Sequence, residues 1–137
     1  MPHKIKQVPY QLLDFQDDFI FTSKRFPAFV AGWGTGKSMS AIFRALLFSQ
    51  ETPNNLGLIC RREFTDLRDS TIKDFEKYTG LKVNEQTKEI KLRNGSVIMF
   101  RHAEELDTLK NINLGWFWFD QAEELETSDQ WFYLYGR

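Results

Sequence analysis

Residues 31–38 read Ala-Gly-Trp-Gly-Thr-Gly-Lys-Ser. They fit the pattern G-x-x-x-x-G-K-[ST], with Ala31 in the first place, where a small residue suffices. The residue types specify a chemistry. Gly32, Gly34 and Gly36 let the backbone wrap around phosphate oxygens, because glycine tolerates positive φ and carries no side chain. The backbone N–H groups then converge on an anion at a helix N-terminus. Lys37 supplies a point charge to the terminal phosphates. Ser38 supplies a hydroxyl ligand to Mg²⁺. The candidate phosphate-binding set is therefore Ala31, Gly32, Trp33, Gly34, Thr35, Gly36, Lys37 and Ser38.

Such a loop needs an acidic partner at the end of a buried strand, to position the magnesium ion through water. The run Trp116-Phe117-Trp118-Phe119 ends at Asp120, which fits that place. The next residue is Gln121, where many hydrolysing enzymes of this kind carry Glu; a Gln can orient water without accepting its proton. Glu123 and Glu124 are the alternative bases. On a helix they would point about 100° apart, so only one could face the ligand; Glu123 is the favoured one.

These residues need elements to hold them. Pro9 to Phe15 opens a helix, with Pro in the first turn. Phe26–Val30 reads as a short buried strand leading into the loop. Residues 37–50 carry Ile42, Ala45, Leu46 and Ser49 at helical spacing. Leu56–Cys60 reads as a second strand, and Phe64–Tyr78 as an amphipathic helix closed by Gly80. Ile90–Leu92 and Val97–Phe100 flank Arg93-Asn94-Gly95-Ser96, a hairpin signal. Glu104–Lys110 reads as a short helix, and Trp116–Phe119 as a buried strand. Strand and helix alternate, which predicts an α/β layer fold with a largely parallel sheet flanked by helices and an inserted β-hairpin.

At 137 residues the chain is sized for about one domain. The net charge of −1 excludes a uniformly basic DNA-coating protein. The charge is uneven: residues 61–101 carry ten basic and seven acidic side chains, whereas residues 102–137 carry two and eight. The lone cysteine, Cys60, sits in an apolar run and reads as a buried hydrophobe; no disulfide framework is possible, so the cytosol is the natural compartment. No apolar stretch is long enough to span a membrane. His3 and His102 have no partner at metal-ligand spacing. The aromatic stretch 131–135 reads as packing against something outside this chain, which would make residues 1–137 a partial domain.

Taken together, these features resemble the N-terminal ATPase region of a phage terminase large subunit. The resemblance rests on Gln16-Asp17-Asp18-Phe19 with Ser23, on Ala31 to Ser38, and on Cys60-Arg61-Arg62-Glu63-Phe64 with Leu67-Arg68-Asp69-Ser70. It rests also on the hairpin 90–96 and on Trp118 to Leu125. It implies an ASCE-type P-loop NTPase fold, with ATP and Mg²⁺ as cofactors. It implies translocation of double-stranded viral DNA into procapsids, with a portal protein and a small terminase subunit as partners, homo-oligomerisation, and the host cytoplasm as location. Gln16, or alternatively Gln11, would match the glutamine that contacts adenine. Trp33 stands where many members have Arg, and Gln121 where they have the catalytic Glu. Arg61, Arg62 and Arg68 are then candidates to sense the terminal phosphate. The family continues into the rest of the ATPase domain and a nuclease domain, and nothing after Leu125 offers a nuclease acidic cluster. The competing readings are a nucleotide-binding module without hydrolysis, a helicase or recombinase fragment, and a small-molecule kinase.

Overall fold

The structure is a computed structural model and describes residues 12–32, 36–109, 111–129, 131 and 134. Its centre is the strand β1 (Leu56–Arg61), an apolar run with residues 57–60 buried. β1 pairs in parallel with β3 (Val97–His102) on one side and with β4 (Trp116–Phe119) on the other. β2 (Glu89–Lys91) adds to β3 antiparallel, giving the order β2-β3-β1-β4. The sheet is thus mixed, parallel in two of its three pairings.

Alternation along the strands divides the core into two layers. Ile59, Ile98 and Phe100 point to one face and meet Ile42, Leu67 and Phe75. Leu58, Cys60 and Met99 point to the other and meet Leu106 and Leu134. The first face is covered by α2 (Lys37–Glu51) and by α4 (Ile72–Thr79). Burial pushes the Cys60 thiol up to about 12, with the Glu105 carboxylate adding to it, as a buried hydrophobe requires. Gly57 is fixed by close approach: a Cβ there would come within 2.0 Å of the Trp116 indole. Among the described residues no helix is long and apolar enough to cross a membrane.

The hairpin turn forms as expected, with the Leu92 N–H donating to the Ser96 carbonyl at 2.8 Å. It also does something the sequence did not announce, which is to seal the C-terminal end of α2. Asn94 Nδ2 donates to the Ser49 carbonyl at 2.7 Å, and Ser96 Oγ donates to the Ser49 and Thr52 carbonyls at 2.7 and 3.0 Å. These are the carbonyls a helix end leaves unsatisfied.

Five expectations are corrected. Phe26–Val30 is not a strand: Val30 is 93% exposed and no ladder forms there. Pro27 has no N–H to give a ladder. The aromatic rings find partners singly instead, Phe29 against Phe15 and Phe19, and Phe26 against Phe117 and Trp131. β4 is half-buried along its length, because its outer edge faces a cavity and not another strand. The amphipathic helix is split into α3 (Phe64–Asp66), a π-helical turn (Leu67–Thr71) and α4. The segment expected as Glu104–Lys110 is a 3₁₀ helix, Ala103–Thr108. The helix expected to open at Pro9 is α1 (Asp14–Phe21); Pro9 to Gln11 lie outside the described residues.

Candidate functional site

The loop reaches α2 through Gly36, whose φ of 77° is a left-handed conformation that glycine adopts without strain. Trp33, Gly34 and Thr35 lie outside the described residues. From the first turn of α2, Lys37 Nζ donates to the Ala31 carbonyl at 2.6 Å, so the ammonium bridges the two ends of the loop. Ser38 follows on the same turn, where the helix dipole and the free N–H groups favour an anion.

Gln16 lies against this turn. It is buried within α1, and a Cβ on Gly36 would come within 2.5 Å of Gln16 Nε2. Its Oε1 accepts from the Leu13 N–H at 3.0 Å. α1 is pinned to α2 by Arg44, a residue that sequence reasoning passed over. Its Nη1 donates to the carbonyls of Phe19, Ile20 and Thr22 at 3.0, 3.0 and 3.1 Å, closing the C-terminal end of α1. The guanidinium sits over the Phe48 ring at 4.6 Å. The signal was present: a lone Arg inside the apolar stripe that also holds Ala41 and Ala45.

Asp120 stands at the end of β4, its N–H continuing the ladder to the Cys60 carbonyl at 2.8 Å. It is 9% exposed. Thr71 Oγ1 donates to its Oδ2 at 2.7 Å, and Arg61 Nη1 stands 3.8 Å from the same oxygen. Burial raises the Asp120 carboxyl above the ordinary carboxylate range, against the opposing pull of Thr71 and Arg61. Burial alone would lower Arg61, but the hydrogen bond to Glu124 and the carboxylates of Asp120, Glu124 and Asp66 outweigh it and raise it.

Beyond Asp120 the chain turns sharply. Gln121 takes a left-handed conformation at φ 54°, a backbone that costs a non-glycine residue about 1–3 kcal/mol. The 3₁₀ turn Ala122–Glu124 then parts the two glutamates. Glu124 turns back to Arg61 at 2.9 Å, whereas Glu123 lines the cavity. Of the remaining arginines, Arg62 is engaged by Glu126 at 2.6 Å, and Arg68 pairs with Asp69 at 2.7 Å in solvent.

Lys37, Ser38, Asp120, Gln121 and Glu123 line one open cavity of about 1370 Å³, with Trp116 to Phe119 along one wall. Ligand sites of drug-sized molecules occupy roughly 300–1,000 Å³, so there is room here for a nucleotide. Among the described residues no cluster of three or more His, Cys, Asp or Glu could hold a metal alone. Mg²⁺ is usually held by one or two protein oxygens, waters and substrate phosphates. The buried Asp120 carboxylate and the Ser38 hydroxyl, on one cavity with Lys37, fit it.

No curated protein and no solved structure matches this sequence. The model of one family, the phage terminase large subunit, matches residues 23–136, a span that holds the loop, β4 and most of the cavity lining; the chain belongs to that family, and its role lies in phage DNA packaging.

Proposed function

We propose that this chain is an ASCE-type P-loop segment that binds ATP with Mg²⁺ and, in the assembled full-length motor, hydrolyses it to drive double-stranded DNA into procapsids. The observation that carries the reading is the opening of the Lys37–Ser38 turn and of Asp120 onto one cavity. In this reading the N–H groups at the start of α2 hold the phosphates and Lys37 leaves Ala31 to meet the terminal ones. Ser38 and Asp120 would hold a hydrated magnesium ion, and its positive charge would offset that of the phosphate oxygens. Gln121 orients the attacking water and Glu123, on the cavity wall, takes its proton. Gln16, upstream of the family match, contacts the base. The partners are viral DNA, a portal protein, a small terminase subunit and further copies of the chain, in the host cytoplasm.

Equilibrium binding of ATP tests the reading. Lys37→Ala is expected to weaken it about 10–100-fold, the worth of a charge-assisted hydrogen bond of about 1.5–3 kcal/mol. Unchanged affinity would remove the phosphate-loop assignment.

A second reading has its own observation. Gln121 stands where a base is expected and Glu124 is engaged by Arg61, which together suit a module that binds nucleotide without turning it over. Restored turnover in a full-length Gln121→Glu protein would favour a slowed enzyme. No gain, from an inactive parent, would favour the binding module.

A further inference from the structure

The π-helical turn Leu67–Thr71 interrupts an otherwise regular rod. In it the Ile72 N–H donates to the Leu67 carbonyl, five residues back. Residues four apart drift about 40° per step around a helix of 3.6 residues per turn. The wide turn absorbs that drift, so that Leu67, Thr71 and Phe75 all face inward, at 0, 2 and 0% exposure. Two of the three are apolar. The third puts a hydroxyl where a valine would occupy the same volume, and a buried hydroxyl costs free energy unless it is bonded. Thr71 Oγ1 donates to Asp120 Oδ2 at 2.7 Å and accepts from Arg61 Nη1 at 3.4 Å. Such turns occur often at functional sites.

We propose that Thr71 is a positioning residue for Asp120: its hydroxyl holds Oδ2 and so leaves Oδ1 as the oxygen available to a hydrated cation in the cavity. The proposal rests on the reading of Asp120 as the residue that holds magnesium. Partners behind a metal-holding carboxylate fix its orientation, and their loss costs roughly 10–100-fold in metal affinity. Thr71 lies 49 positions before Asp120, and nothing local marks it.

The test is calorimetric binding of an ATP analogue with an imido bridge, with Mg²⁺ and in EDTA, to the 137-residue chain. No turnover enters the readout. Thr71→Val is expected to weaken binding roughly tenfold or more with Mg²⁺ and to leave binding in EDTA unchanged. Thr71→Ser, which keeps the hydroxyl, is expected to restore the Mg²⁺ dependence. In an Asp120→Asn background Thr71→Val should add nothing, because both act through one contact. If Thr71→Val does not fold, Thr71→Ala removes the same hydroxyl without adding a methyl.

The outcomes separate. Loss with Asp120→Asn but wild-type binding with Thr71→Val would overturn the inference and leave the reading of Asp120 standing. Equal weakening with and without Mg²⁺ would make Thr71 merely structural and overturn the inference. Unchanged Mg²⁺ dependence in Asp120→Asn would overturn the reading itself, and the inference with it.

Discussion

The two ends of α2 are treated in opposite ways. At the C-terminal end the hairpin closes over the helix, and Asn94 and Ser96 satisfy the carbonyls of Ser49 and Thr52. At the N-terminal end Gly36 turns the chain in, and Lys37 and Ser38 open on a cavity. One end is finished by the protein's own side chains. The other presents N–H groups that a ligand can finish. A helix held rigidly at its far end gives its near end a fixed position, which is what binding an anion through backbone groups requires.

The contrast can be broken in graded steps. The largest effect is expected from Arg44→Met, which leaves the carbonyls of Phe19, Ile20 and Thr22 without their donor. It should cost on the order of 3 kcal/mol or more, read from urea unfolding. The loss should loosen α1, and with it Gln16, while the hairpin stays protected in hydrogen exchange. Next comes Ser96→Ala, which removes a donor to two carbonyls and an acceptor for the Asn55 N–H. A loss of about 1–3 kcal/mol is expected, with ATP affinity unchanged.

Gly36→Ala attacks the other end. Its φ of 77° and the nearness of Gln16 Nε2 should cost about 1–2 kcal/mol. ATP binding should fall as well, the reverse of the pattern for Ser96→Ala. The smallest effect concerns Asp120. Its carboxyl is raised by burial, so the fold favours the protonated form. That contribution is present below the ordinary carboxyl range, about pH 4, and is lost as pH rises through the raised value. Asp120→Asn should therefore raise the melting temperature at neutral pH, and the gain should vanish in acid. A fall at pH 7 would contradict this account of the site.

Local signals made much of this legible. The spacing of Ile42 and Ala45 predicts α2, Asn94-Gly95 predicts the turn, and four aromatic residues before Asp120 predict β4. What escaped depends on distance along the chain. Phe26–Val30 has a strand's composition, but Pro27 and single aromatic contacts decide its path. Thr71 and Arg61 gain their meaning only when β1 and β4 lie side by side, which brings both to Asp120. The parting of Glu123 from Glu124 follows from a left-handed Gln121, a conformation that a glutamine does not announce.

The most direct measurement is an amide NMR titration of the 16.2 kDa chain with Mg²⁺ and ATP. The amides of Gly36, Lys37, Ser38, Asp120 and Gln121 are expected to shift, while those of Asn94 and Ser96 stay still. Shifts gathered at the hairpin, or none at millimolar ATP, would contradict that expectation.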